Sequence, residues 1–171
     1  MKTSSETLDA TQYLTFLLAG EEYAIGALRV KEIIEYATVT TVPGTPAYVR
    51  GVINLRGSVV PVLDLAVKFG LAASPVTKRT CIVIVEVELG GEGTVLGILA
   101  DAVSQVVGLS PDEIETPPAF GTLVRVDYLL GIGKVGEKFV LILDVDRILS
   151  AAELLSAAAD GAVAQTEGAS R

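Results

Sequence analysis

The chain contains no histidine, although it is 171 residues long. Histidine is the commonest general base and metal ligand of proteins, and it is the phosphoacceptor of two-component kinases. Its absence excludes all three roles together. The catalysts that remain are unusual ones, such as paired carboxylates or a lysine nucleophile. The sequence therefore favours a non-enzymatic protein over an enzyme.

Cysteine and positive charge are also scarce. Cys81 is the sole cysteine, so no intrachain disulfide can form and a reducing compartment is favoured. We interpret Cys81 as a small buried hydrophobe. The formal net charge of −8 argues against nucleic acid and against an anionic membrane surface as partners. No charged-then-apolar leader opens the chain and no apolar run reaches bilayer length. We therefore expect a cytoplasmic protein without direct membrane insertion.

Valine, isoleucine and leucine dominate a composition that is 50% hydrophobic. They favour β-rich packing, and the length fits one domain or two small ones that share a core. The ends are small and polar, which predicts a flexible N-terminus over residues 1–10, a folded domain over 11–158 and a disordered tail over 159–171. An alanine-rich run predicts a C-terminal helix over 151–159.

Short apolar runs joined by glycine-bearing turns predict four β-hairpins. Residues 28–36 break this alternation with interleaved charges, which predicts a short helix or an irregular strand with one charged face. Asp64 and Asp144 each follow a strand and are expected to cap a short helix rather than to form a catalytic pair. The predicted strand pairs are 12–18 with 23–27, 52–53 with 59–63, 80–87 with 94–100, and 126–133 with 138–143.

The segment 51–65, read GVINLRGSVVPVLDL, is the hairpin around which the other elements are arranged. Gly57 is its natural turn residue, because a positive φ costs least at glycine. Arg56 precedes it and displays a permanent charge on a rigid turn in a very apolar segment. Such a guanidinium either pairs with a carboxylate of its own chain or faces a partner.

The central hairpin recurs without gaps near the C-terminus. Residues 51–53 (GVI) match 131–133 (GIG), and 62–65 (VLDL) match 142–145 (ILDV), so strand and aspartate recur in register. A looser echo links 25–26 and 30–33 with 96–97 and 103–106. Two pseudo-repeats of about five strands each predict two small β-barrels packed side by side. Gly136 occupies the position that matches Arg56, which favours a specific role for that charge.

These segments resemble those of the CheW family of bacterial chemotaxis coupling proteins. The GVINLRG segment with the following VVPVLDL block is the most specific, and the resemblance runs from Gln12 to Leu155. The family implies a mainly β fold of two intertwined SH3-like five-stranded barrels with a hydrophobic seam, short helices and a C-terminal helix. The segments that carry the resemblance are 13–16 (YLTF), 22–25 (EYAI), 30–33 (VKEI), 42–46 (VPGTP), 51–57, 59–65, 97–107 and 128–133 (YLLGIG).

The resemblance also implies an adaptor without catalysis, metal or cofactor. Its partners would be the cytoplasmic helical tip of chemoreceptors (methyl-accepting chemotaxis proteins) and the regulatory domain of a CheA-type histidine kinase. This chain is too short for the kinase or for a CheV-type protein, so we expect a stand-alone coupling protein recruited to receptor arrays. Three alternatives stay open: a CheW-like scaffold with motility or second-messenger output, a small-molecule-binding regulatory double barrel, and a carboxylate-based hydrolase.

Arg56 and Glu32 are predicted to face each other or to share a partner, and Asn54, Leu55 and Gly57 complete the turn as contact residues. A helical receptor tip would lie in an apolar groove between the barrels. The candidates to line that groove are Val30, Ile33, Ile84, Val103 and Val106.

Overall fold

The computed structural model describes residues 10–89, 91–116 and 128–148. Within these residues the chain forms eleven β-strands and two single-turn α-helices. The strands are β1 (Thr11–Leu18), β2 (Glu21–Gly26), β3 (Val30–Glu35), β4 (Val49–Leu55), β5 (Ser58–Leu63), β6 (Cys81–Leu89), β7 (Glu92–Ala100), β8 (Ala102–Leu109), β9 (Ile114–Glu115), β10 (Leu129–Val135) and β11 (Lys138–Leu143), and the helices are α1 (Leu65–Lys68) and α2 (Val145–Ile148).

The strands form two sheets that share the chain in an interlocked way. The first barrel has the strand order β3-β6-β7-β5-β4, and the second has the order β8-β1-β2-β11-β10-β9. The chain therefore starts in the second barrel, crosses to the first for β3 to β7, and returns to the second for β8 to β11. The predicted mainly β fold of two intertwined SH3-like barrels is confirmed.

The internal repeat is a repeat of structure as well as of sequence. Gly51 pairs with Val62 in the β4–β5 hairpin, and Gly131 pairs with Ile142 at the equivalent place in the β10–β11 hairpin. Each hairpin has a register shift directly before its glycine. The predicted correspondence of the two segments is confirmed residue by residue.

The second barrel has six strands instead of the predicted five, because its sixth strand, β9, is two residues long. β9 pairs with β10 through Glu115 opposite Ile132. In the first barrel an isolated bridge between Thr40 and Val52 occupies the matching edge. Each barrel therefore has an equivalent edge contact, which is a single bridge in the first barrel and two residue pairs in the second.

The two aspartates cap helices, as predicted. The Asp64 carboxylate accepts a hydrogen bond from the backbone N–H of Val67 at 3.3 Å at the start of α1. The Asp144 carboxylate accepts one from the backbone N–H of Asp146 at 3.1 Å at the start of α2. A side-chain acceptor satisfies amide groups that have no partner in the first helical turn.

Within the described residues, three apolar clusters hold the fold together: one inside each barrel and one between the barrels. The seam between the barrels contains the aromatic series Phe16, Tyr23, Phe69 and Tyr128, with neighbouring ring centroids 6.5, 5.9 and 5.8 Å apart. The first barrel encloses Ile53, Val60, Val62, Ile82, Ile84 and Leu99, and the second encloses Tyr13, Ala24, Leu109, Val140 and Ile142.

Most of the segment 28–36 is strand β3, Val30–Glu35. A 3-10 turn over Ala27–Arg29 leads into β3, whose residues alternate between partly buried and exposed. The predicted irregular strand is therefore correct and the α-helix is wrong; the irregularity is a register shift between Val30 and Glu32. The exposed face is not purely charged, because it carries Ile33 between Lys31 and Glu35. The predicted N-terminal segment before Ala10, the helix over 151–159 and the tail lie outside the described residues. Among the described helices, none has the length and apolar composition needed to span a bilayer.

Candidate functional site

The tip of the β4–β5 hairpin is a two-residue turn made by Arg56 and Gly57. Leu55 and Ser58 close it as a pair, and φ is +51° at Arg56 and +87° at Gly57. Positive φ at both central residues is the type I′ geometry that matches the twist of a β-hairpin. The side-chain oxygen of Asn54 accepts a hydrogen bond from the Gly57 N–H at 2.8 Å. The predicted contact residues therefore build one rigid turn.

In this turn the Arg56 guanidinium lies against β3 of the same barrel. Its Nη1 lies 2.5 Å from Glu32 Oε2, and its Nη2 lies 2.9 Å from Glu32 Oε1. This is a bidentate pair, the geometry that a planar guanidinium and a carboxylate favour. Of the two predicted alternatives, direct pairing is the one that the structure shows. The Arg56 side chain is 73% exposed and that of Glu32 is 29% exposed, so the arginine faces outward over its partner.

Each member of the pair stabilises the charged form of the other. The pKa of Glu32 is lowered, mainly by its hydrogen bonds with Arg56. Desolvation raises this pKa, whereas attraction to the charges of Arg56 and Lys31 lowers it further. The hydrogen bond to Glu32 raises the pKa of Arg56 in turn. Glu32 accepts two of the five N–H donors of a guanidinium. The ion pair therefore holds the Arg56 guanidinium in place and uses only two of its N–H donors.

A groove of about 640 Å³ opens beside the ion pair. Its walls come from β3, from the start of β5 and from the start of β7, with Pro61 and Val95 among the lining residues. The parallel strands β5 and β7 pair through Val62 with Gly97 and Leu63 with Ile98, at the end of β5 and in the second half of β7. Their starts therefore diverge, and the gap between them is the groove.

The five predicted groove residues occupy three different environments. Val30 and Val103 pack against the seam between the barrels, as an inter-barrel groove requires. Ile33 and Val106 are exposed on β3 and β8. Ile84 is completely buried in the interior of the first barrel, where it underlies the groove beside Arg56. The structure therefore does not bring the five side chains together in one groove, and Ile84 offers no exposed surface for contact.

The sequence analysis missed an ion pair that joins the two barrels. Arg29 Nη1 lies 3.0 Å from Asp146 Oδ1, and Arg29 Nη2 lies 2.5 Å from Asp146 Oδ2. The same carboxylate accepts a hydrogen bond from the backbone N–H of Glu88 at 2.9 Å. Asp146 belongs to α2 after the last strand of the second barrel, whereas Glu88 lies on β6 of the first. No local pattern indicates this contact, because its two side chains lie at opposite ends of the described chain.

Cys81 packs at the edge of the seam between the barrels. Burial raises the pKa of the Cys81 thiol, and a backbone hydrogen bond with Val103 lowers it by a smaller amount. Cys81 is only partly buried, so the expectation of a buried side chain is met in part. Its raised pKa agrees with a packing residue rather than a reactive thiol, since the thiolate is the reactive form. Within the described residues, no three acidic or cysteine side chains are grouped as metal ligands would be.

The geometry is that of a double-barrel binding module. Two interlocked SH3-like barrels carry their polar functional groups on a hairpin turn and on strand edges, which are positions suited to gripping another macromolecule. The profile of the CheW-like domain family matches residues 12–153. The chain belongs to this family.

Individual relatives support the same assignment. The chain is 36% identical to the chemotaxis protein CheW of Klebsiella aerogenes over 90% of this chain and 89% of that protein. It is 31% identical to the chemotaxis protein CheW of Bacillus subtilis over 93% of this chain and 99% of that protein. The crystal structure of the scaffolding protein TtCheW from Thermoanaerobacter tengcongensis superimposes with a TM-score of 0.75 at 30% identity, covering 84% of this chain and 90% of that one.

Proposed function

We propose that this protein is a chemotaxis signal-transduction adaptor that couples chemoreceptors to a CheA-type histidine kinase. The match to the CheW-like family across nearly all of the described chain carries the proposal. The names of the relatives, chemotaxis proteins and a scaffolding protein, agree with it. The adaptor is cytoplasmic, and protein contacts recruit it to membrane-bound receptor arrays.

Two separate surfaces serve the two partners. One is the rigid turn of Asn54, Leu55, Arg56 and Gly57 with Glu32 beneath it, because an exposed arginine on a preorganised turn is a favoured anchor in protein interfaces. It offers charge and free N–H donors to an acidic or carbonyl-bearing surface.

The other surface is the edge of the seam: Val30 on β3 and Val103 on β8 pack against the seam, and each of these two strands also carries an exposed apolar residue, Ile33 and Val106. An amphipathic helix of the receptor tip lays its apolar side chains there. When one protein holds both partners, each raises the effective concentration of the other, so the individual contacts need only be modest.

Co-sedimentation tests the proposal. Purified protein is mixed with receptor-containing membranes and kinase, and the pelleted fraction of adaptor and kinase is measured. Arg56→Glu reverses a charge on the turn without touching either barrel interior, so it weakens assembly by about tenfold or more while the far-UV spectrum stays native.

Arg79→Glu is the matched control, because Arg79 is another exposed arginine and lies on the loop before β6. It leaves assembly unchanged. Wild-type protein that pellets with neither partner would refute the adaptor function, and equal effects of the two variants would refute the role of Arg56.

A further inference from the structure

We propose that Asn54 is a positioning residue for Arg56. Its side chain holds the turn that directs the guanidinium, so its contribution to partner binding passes through Arg56 and not through a contact of its own. Asn54 lies on β4, two residues before the arginine, and its side chain is exposed. The hydrogen bond that this side chain accepts distinguishes it from a simple contact residue.

Arg56 has a backbone conformation that residues with a side chain rarely adopt. Its φ of +51° lies in the left-handed region that favours glycine. The equivalent turn of the β10–β11 hairpin places Gly136 at this position, with a φ of +63°. The β10–β11 turn therefore uses a glycine for its left-handed residue, whereas the β4–β5 turn uses an arginine. The β4–β5 turn needs a further interaction to hold its arginine there.

The hydrogen bond between Asn54 and Gly57 supplies that interaction. Asn54 Oδ1 accepts the Gly57 N–H at 2.8 Å and so closes a loop around Arg56. Among the described residues, the other one besides glycine with a positive φ is Ala19, at +50°. Its turn is held in the same manner, because Asp101 Oδ2 accepts the Ala19 N–H at 2.9 Å. Each left-handed residue that is not glycine is thus accompanied by a side-chain acceptor.

The internal repeat supplies the contrasting case. Lys134 occupies the position that matches Asn54, and it pairs with Phe139 as Asn54 pairs with Val59. The ammonium group of a lysine has no acceptor to offer. Where glycine takes the left-handed position, the matching side chain therefore does not hold the turn in this way.

Two interactions fix Arg56 from different directions. The Asn54 hydrogen bond fixes its backbone, and the bidentate pair with Glu32, at 2.5 and 2.9 Å, fixes its guanidinium. A bidentate pair tolerates little change in the direction of the side chain, because two N–H donors must face two oxygens at once. Loss of the Asn54 hydrogen bond lets the turn leave the left-handed conformation, which loosens the pair and removes the preorganisation of Arg56.

NMR of three variants tests the positioning without any partner. Asn54→Ala removes the acceptor, Asn54→Gln moves the amide one methylene further away, and Asn54→Asp keeps an oxygen at the same distance from the backbone. The intraresidue NOE between the amide and α protons of Arg56 is strong at positive φ. This NOE weakens in Asn54→Ala and Asn54→Gln and is kept in Asn54→Asp.

The carboxyl group of Glu32 gives a second readout in the two uncharged variants. In Asn54→Ala and Asn54→Gln, the pKa of Glu32 rises towards the value that it has in Arg56→Ala. Lys134→Ala is the matched control, because it truncates the exposed side chain at the equivalent position of the β10–β11 hairpin. It leaves both the NOE and the pKa of Glu32 unchanged.

The consequence for binding rests on the proposed function. In co-sedimentation with receptor-containing membranes and kinase, Asn54→Ala weakens assembly by about threefold to tenfold. Asn54→Gln weakens it as much, although its amide can still reach a partner. In the Arg56→Ala background, Asn54→Ala has no further effect, because the effects of residues that act through one another are not additive.

Three results would overturn the inference. An unchanged NOE and an unchanged Glu32 pKa in Asn54→Ala would show that the turn does not need the hydrogen bond, while the proposed function would stand. A further loss of assembly in the Arg56→Ala background would make Asn54 a contact residue. Normal assembly of Asn54→Ala would show that its hydrogen bond does not matter for binding. If wild-type protein pellets with neither partner, the proposed function fails, and the NMR readouts alone decide whether Asn54 positions Arg56.

Discussion

Among the glycines that the structure describes, Gly51 on β4 leaves the least room for a side chain. Its φ is +146°, and a Cβ atom there would lie 2.1 Å from the carbonyl oxygen of Thr40 and 2.8 Å from Cγ1 of Val39. The Gly51→Ala variant must therefore displace the segment around Thr40. Thr40 and Val52 exchange two backbone hydrogen bonds of 2.9 and 2.8 Å, which the displacement breaks.

The cost can be worked out from these two effects. Each lost hydrogen bond removes about 0.5–1.5 kcal/mol, and the forced backbone conformation costs about 1–3 kcal/mol. Gly51→Ala thus lowers the free energy of unfolding by about 2–6 kcal/mol. Urea denaturation followed by far-UV circular dichroism measures it, and the midpoint falls while the slope stays unchanged.

Gly44 supplies the control. Its φ is +83°, but a Cβ atom there would meet nothing within 4 Å, so Gly44→Ala carries only the conformational penalty of about 1–2 kcal/mol. The excess destabilisation of Gly51→Ala over Gly44→Ala, about 1–4 kcal/mol, reports the lost bridge together with the greater backbone strain at Gly51. Equal destabilisation by the two substitutions would refute the reasoning, since it would mean that the Thr40 contact contributes nothing.

Two further predictions concern titration and reactivity. The pKa of Glu32 lies below its ordinary value of 4.5, so its pairing with Arg56 stabilises the fold above pH 4.5 and is lost as the pH falls through the lowered pKa. An NMR titration of the Glu32 carboxyl carbon shows a lower midpoint in wild type than in Arg56→Ala, and coinciding midpoints would contradict the pairing. Because burial raises the pKa of Cys81, a disulfide reagent at pH 8 modifies the folded protein more slowly than the urea-unfolded chain, and equal rates would contradict that burial.

The hairpins were predictable because every signal they need is local. In β4–β5 the apolar alternation, Gly57 and the aspartate after β5 all lie within fifteen or so neighbouring residues, and the β10–β11 copy repeats them. Pairing of Arg56 with Glu32 was one of two predicted alternatives, since an arginine on a turn has to satisfy its donors somewhere.

Other features depend on how the barrels interlock, and no local pattern encodes that. The Arg29–Asp146 pair forms only when α2, which follows the last strand of the second barrel, lies against β6 of the first. Ile84 was predicted to line a groove because a continuous apolar strand does not show which of its faces is enclosed. The structure buries both faces of β6 near Ile84, one in the barrel and one in the seam.

The interlocked strand order also sets when the molecule can fold during synthesis. β1 meets β2 at once, but its other edge waits for β8, as the hydrogen bonds between Thr15 and Gln105 across 90 residues show. The opening hairpin must therefore leave the ribosome and remain unfinished while the whole first barrel is made. Contacts so distant along the chain slow folding. If the polypeptide were cut anywhere between the barrels, the β1–β2 hairpin would lack the strands that pair with it in the second barrel.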